Sequence, residues 1–232
     1  MKILAIDTTA VTATAALCDG EKRLGEFTVC TAMHHSETML PMIKELLRSC
    51  SCTFDEVQLL AGSAGPGSFT GVRIGASILL GLAFEKSIPC IGVSSLQALS
   101  YNMSGISGDF IACPVMDARR GQLYNALFRH TSEGITRLCE DRIIMADQLA
   151  AELAQYTLPV YFIGDGAHIA KAEYEKGLIP PEQLRLQSAY SVAQTALRIY
   201  ESTSDKTVFE PQFFKPTYLR ASQAERERNG LK

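Results

Sequence analysis

Residues 72–84 read Val-Arg-Ile-Gly-Ala-Ser-Ile-Leu-Leu-Gly-Leu-Ala-Phe. Wound as a helix, the run carries Arg73 and Ser77 near its start and leaves no polar side after them. A helix that is apolar all round must be covered all round. In a small lobe a sheet covers one side only, so a second cover is required. Either the chain supplies it, with the apolar stripe of residues 39–47 as the nearest candidate, or another protein does. Gly75 and Gly81 would let a second helix approach closely.

The rest of the chain can afford such a core. It has 232 residues, 47% of them apolar and 20% charged, which fits one large domain or two small lobes and excludes a disordered chain. A net charge of −3 argues against a broad basic surface, so a nucleic acid would have to be gripped largely by something else. The seven cysteines are scattered, and Cys50-Ser51-Cys52 lacks the paired knuckles of a zinc site, so the thiols read as reduced and structural. Met1–Ile6 is apolar but meets Asp7 too early for a signal peptide. The longest uncharged apolar run, residues 74–84, is too short for a bilayer. A soluble cytoplasmic protein with no membrane contact is expected.

Strands are expected at 3–6, 12–18 and 23–30, with Asp19-Gly20 as the turn of a hairpin between the second and third. Met39, Leu40, Ile43, Leu46 and Leu47 form a helical stripe within 36–48, and 57–64 reads as another strand. The apolar helix, from about Thr70 to Phe84, is followed by a strand at 90–93 and a short helix at 94–102. The flexible stretch Ser104-Gly-Ile-Ser-Gly108 suggests a boundary between lobes 1–105 and 106–232. Beyond it, strands are expected at 111–116, 123–128 and 160–163, helices at 146–155 and 190–201, an extended tail at 211–220 and a frayed end at 223–232. Three strands, a helix, a strand, a helix and a strand imply an α/β fold with mixed sheets flanked by helices. No sequence repeat is apparent.

The apolar helix is entered through Gly62-Ser-Ala-Gly-Pro-Gly-Ser-Phe-Thr-Gly71. The loop lacks the Gly-Lys-Thr/Ser ending of a P-loop and the spacing of a dinucleotide fingerprint. Gly65 and Gly67 permit unusual backbone, and Ser68 or Thr70 can cap the helix. Two readings stay open: a loop that aims the helix, or an anion site at its start. Candidate nucleotide or anion contacts are Asp7, Thr8, Thr9, Gly65, Gly67 and Ser68. His34-His35 with Glu37 reads as a solvated helix start or as a metal or acid–base cluster. No Gly-x-Ser-x-Gly elbow is present.

Four motifs then occur in order: Lys2-Ile-Leu-Ala-Ile-Asp-Thr-Thr9, His35-Ser-Glu37 with Leu40-Pro41, Gly65-Pro-Gly-Ser-Phe-Thr-Gly-Val-Arg73, and Asp117-Ala-Arg-Arg-Gly-Gln-Leu-Tyr124. Together with Pro216-Thr-Tyr-Leu-Arg220 they resemble the bacterial TsaB (YeaZ) family. The resemblance implies a two-lobed, actin-like (sugar-kinase/Hsp70-like) fold. It implies a noncatalytic role in threonylcarbamoylation of the adenosine beside the anticodon of tRNAs reading codons that start with A. The implied partners are the transferase TsaD and the small ATPase TsaE, with a homodimer when the chain is alone, tRNA met mainly through the complex, and ATP with magnesium only at the joint with partners. The TsaD relative carries His-Leu-Glu-Gly-His, whose histidines hold a metal, where this chain reads Ser95-Leu-Gln-Ala-Leu99. No metal ligands and no catalytic residues are therefore assigned here. The expected partner face comprises Met39, Ile43, Leu46, Leu47, Gly75, Ile78, Leu79 and Leu82. The alternatives are an actin-like nucleotide-binding ATPase and a glycoprotease-like peptidase.

Overall fold

The computed structural model describes residues 1–30, 34–84 and 86–220. The expected frayed end at 223–232 lies outside them.

The chain opens with β1 (Lys2–Asp7), β2 (Ala13–Asp19) and β3 (Lys22–Val29), followed by α1 (His35–Ser49), β4 (Leu59–Gly65), α2 (Phe69–Phe84), β5 (Cys90–Ser94) and α3 (Ser95–Tyr101). The sheet runs β3-β2-β1-β4-β5, with β1 antiparallel to β2 and parallel to β4. Gly20, at φ 58°, makes the expected turn between β2 and β3. The central strand β1 is apolar at every step from Ile3 to Ile6 because both its faces are covered. Leu4 and Ile6 meet α1 and α2, whereas Ile3 and Ala5 join a cluster on the other face.

The second lobe holds β6 (Phe110–Asp117), β7 (Gln122–Asn125), β8 (Phe128–Thr131), β9 (Gly134–Arg137), β10 (Arg142–Met145), α4 (Ala146–Leu153), β11 (Val160–Ile163), α5 (Ala167–Glu173) and α6 (Glu182–Arg185). The single strand expected at 123–128 is two strands. β7 and β8 share one register along β6, pairing Val115 with Asn125 and Ala112 with Phe128. Asn125 explains the break: its buried amide donates to Pro114 O and Ala126 O instead of leaving the ladder regular. β11 lies parallel to β6 on its other edge. Both lobes therefore follow one plan, an antiparallel three-row meander within one sheet (β1-β2-β3, and β6 with β7/β8 and β10/β9), a helix, a parallel strand and a helix, although their sequences share no repeat. This is the two-lobed, actin-like architecture.

One helix breaks chain order. α7 (Ala189–Ser202), which the sequence boundary assigns to 106–232, packs Val192, Ala193, Ala196 and Leu197 against Ile3, Ala5, Ala16, Leu59 and Ile91 of the first sheet. Between the sheets, α3 turns Ala98 toward that cluster and Leu96 and Leu99 toward Phe110, Ala112 and Phe128 of the second sheet. The layers run α1 and α2, first sheet, α3 and α7, second sheet, α4 and α5. No helix among the described residues is long and apolar enough to cross a membrane.

Candidate functional site

The glycine loop resolves first. Ser68 Oγ accepts from Gly71 N at 3.3 Å and caps α2 as expected, and Ser68 N donates to Thr9 O at 2.7 Å. A Cβ at Gly67 would overlap Thr9 O, one at Gly71 would overlap Thr8 O, and one at Gly75 would press on Thr8 Oγ1. Gly71 and Gly75, one turn apart, mark the face of α2 that lies on Thr8 just past β1, and Gly67, before the helix, continues the line to Thr9. Gly65, at φ 111°, meets Thr217 O of the tail instead. The glycines thus serve close backbone packing, and the donors at Ser68 and Gly71 are already used inside the chain.

Asp7 is spent in the same way. It is 1% exposed; its Oδ1 accepts from Thr9 N at 2.8 Å and Thr9 Oγ1 at 2.7 Å, and its Oδ2 accepts from Ser63 Oγ. Burial pushes its carboxyl above the usual range, opposed by those hydrogen bonds. Thr8 Oγ1 donates to Gly71 O at 2.7 Å. Of the six candidate anion contacts, Thr9, Gly67 and Ser68 line a cleft of about 560 Å³ between the lobes, while Asp7, Thr8 and Gly65 lie outside its lining.

The far wall of the cleft carries Asp117, Arg119, Tyr124 and Asp165. Burial, and then the neighbouring charge of Asp117, push the Asp165 carboxyl up, while Asp117 N donates to it at 3.2 Å. Asp117 is itself engaged by Arg119, through N at 2.7 Å and Nη1 at 3.2 Å. The tail crosses the cleft mouth. Phe214 is buried in the first lobe, Thr217 N donates to Ala64 O at 2.7 Å, and Arg220 donates to Ala118 O at 2.8 Å and to Gln122 Oε1 in the second lobe.

Other chemistry suggested by the sequence is not assembled. His35 contacts Ala10 O through Nε2 at 2.8 Å, pinning the start of α1, and His34 occupies the N-cap position without a side-chain cap bond. No group of three metal-binding side chains occurs among the described residues. Ser95 and Leu99, where the transferase relative has histidines, are buried in α3, and Ser95 Oγ donates to Pro66 O. Ser100 and His130 do form a serine–histidine pair at 2.9 Å, but it is sealed between α3 and β8, and the second ring face stacks on Phe110. Burial pushes the thiols of Cys18 and Cys90 up to about 12, far from nucleophilic use.

The outward face of α2 remains. Val72, Gly75, Ala76, Leu79 and Ala83 face the chain's own core, and so do Met39, Ile43, Leu46 and Leu47 of α1. Six of the eight expected partner-face residues, Met39, Ile43, Leu46, Leu47, Gly75 and Leu79, lie against the first sheet and the end of β1 within the chain itself. They do so because the sheet's own apolar residues need the same stripe. Ile78 and Leu82 are only partly covered. The opposite stripe of α2, Ile74, Ser77, Ile78, Gly81 and Phe84, recurs at helical spacing, and Phe84 is 85% exposed. On α1, Leu40 is 49% exposed. A groove of about 410 Å³ runs between Ser36 and the residues Phe69, Arg73, Ile74 and Ile78. Sequence reasoning missed Ile74, Phe84 and Leu40 as the outer set. The glycine spacing was the available signal, since it marks the inward side.

Comparison with known proteins gives concordant results. The sequence model of the TsaD family, described as tRNA N6-adenosine threonylcarbamoyltransferase, matches residues 29–227. The tRNA threonylcarbamoyladenosine biosynthesis protein TsaB of Bacillus subtilis is 29% identical over 225 residues, covering 97% of this chain and 96% of its own. TsaB of Escherichia coli is 33% identical over 155 residues, 67% of either chain. The solved structure of YeaZ from Pseudomonas aeruginosa superposes with a TM-score of 0.76 at 21% identity, over 94% of this chain and 99% of its own, which shows a shared fold.

Proposed function

This chain belongs to the TsaD family and, within it, to the TsaB proteins of tRNA threonylcarbamoyladenosine biosynthesis, and from that premise we propose that it works as a noncatalytic subunit that docks the transferase TsaD through the outward face of α2. The observation that carries the proposal is the outward side of α2, where half-covered Ile74 and Ile78 and the exposed Phe84 lie among Arg73 and Ser77, with Leu40 of α1 also exposed. The chain covers one half of this helix with its own sheet, and the other half calls for a partner of like kind. When alone, the same stripe closes on a second copy to give a homodimer. The ATPase TsaE then joins the pair, and tRNA is held mainly by the partners, in keeping with a net charge of −3.

The actin-like ATPase reading asks for an acidic group free to hold metal and phosphate beside the glycine loop. Asp7 is buried and both its carboxylate oxygens already accept from Thr9 or Ser63, so these residues do not fit a magnesium nucleotide in the manner of a phosphotransferase. The peptidase reading asks for an accessible nucleophile, and Ser100 with His130 is not one. The docking proposal is tested by light scattering after gel filtration, with and without purified TsaD. Ile78→Glu should leave a folded monomer that neither dimerises nor binds TsaD. Undiminished pairing by that variant would sink the proposed face.

A further inference from the structure

Arg73 is the only cation on α2, and it stands on the rim of the outer groove with Ile74 and Ile78. Its guanidinium lies 3.9 Å from the centre of the Phe69 ring and 6.0 Å from that of Tyr218, and Nε donates to Tyr218 Oη at 3.4 Å. The two rings are themselves 5.0 Å apart. Among the described residues no carboxylate forms an ion pair with Arg73. Among the described residues, then, a guanidinium without an ion-pair partner is held against two aromatic rings on an exposed side of α2. Covering this groove with a purely apolar partner would strand a charge, which disfavours such a partner.

We infer that Arg73 is the point at which an Asp or Glu side chain of the partner protein docks, and that Tyr218 is a positioning residue for it. The inference rests on the docking face proposed above and adds the chemistry the partner must present there. Tyr218 belongs to the tail that Thr217 ties to Ala64 and Arg220 ties to the second lobe. The tail thus reaches through the cleft mouth to set a residue of the docking face.

The test is a titration of the full chain against TsaD at low and high NaCl. Arg73→Gln should weaken binding about 30-fold at low salt and flatten the salt dependence, as expected when one partner of a desolvated charge pair is removed. Tyr218→Ala should weaken it several-fold, Tyr218→Phe should stay near wild type because the ring remains, and Tyr218→Ala should add nothing to Arg73→Gln. Arg73 and Tyr218 are exposed enough that circular dichroism should show unchanged folds. If Arg73→Gln binds as wild type with an unchanged salt slope while Ile78→Glu has lost binding, the face stands and the carboxylate inference falls. If Ile78→Glu also binds normally, the face itself falls. Binding that appears only with added phosphate or nucleotide would overturn the assignment to a partner side chain.

Discussion

Phe84 offers a measurement whose size depends on symmetry. It closes α2 with 85% of its surface in water. Burying such a side chain fully stabilises by about 1.5–3 kcal/mol relative to leaving it exposed. Replacing it by Ser should therefore cost a one-sided contact ~2 kcal/mol, about 30-fold in Kd. A twofold homodimer uses the same patch on both copies, so the substitution counts twice there, at ~4 kcal/mol or about a thousand-fold. Sedimentation velocity over a concentration series gives the homodimer constant, and a titration with TsaD gives the heterodimer constant. The thermal midpoint of a dilute monomer should not fall, because the ring touches little within the chain. On a logarithmic scale the homodimer loss should be about twice the heterodimer loss. Unchanged constants for a folded variant would refute the docking face. Equal losses in the two assemblies would refute the claim that both use it in the same way.

Two further expectations concern the fold that presents this face. Burial holds the His130 imidazole at about 4, below its ordinary 6.5, so the unfolded chain takes up the proton first; its contribution is complete above about pH 6.5 and drains away as the pH falls toward 4, about 3 kcal/mol in all. Urea unfolding near pH 7 and near pH 4.5 should show that loss, and His130→Gln should narrow the gap; an identical gap in the variant would remove His130 as its source. Gly71→Ala drives a methyl into Thr8 O and should destabilise by 1–3 kcal/mol or more, whereas Gly81→Ala meets open space and should raise helix stability by roughly 0.8–1 kcal/mol. Thermal melts that rank the two the other way would contradict the inward face assigned to α2.

The first lobe was legible because its signals are local. Asp19-Gly20 marks the hairpin, the stripe from Met39 to Leu47 marks α1, and Ser68 caps α2, all within a few residues of the structure they specify. The second lobe was less so. Asn125 looks like an ordinary strand residue until its amide is seen bonding inside the sheet, and the short strands β9 and β10 alternate too weakly to stand out. α5 is seven residues of mixed small, apolar and charged side chains, below the length at which a helical period shows. The direction of the candidate face was hidden for a different reason. A helix apolar on every side gives no period from which to tell the sheet from a partner, and only the spacing of Gly67, Gly71 and Gly75 against Thr8 and Thr9 records the direction. Asp7 was legible as a residue at the end of a strand, but its role depended on Ser63, more than fifty positions away.

The return of α7 to the first sheet bears on how the molecule is made. Ala189 N donates to Thr14 Oγ1 across 175 positions, and the apolar residues behind Ile3 and Ala5 stay bare until that helix arrives. During synthesis, then, the first lobe leaves the ribosome with one side of its sheet in water and is sealed only once residues 189–202 have emerged. The helices that meet the partner are formed early, yet the sheet beneath them gains its backing late. Pairing contacts this distant in sequence slow folding. A fragment cut at the 104–108 linker would hold both docking helices on an open-backed sheet, prone to aggregate before any partner could reach it.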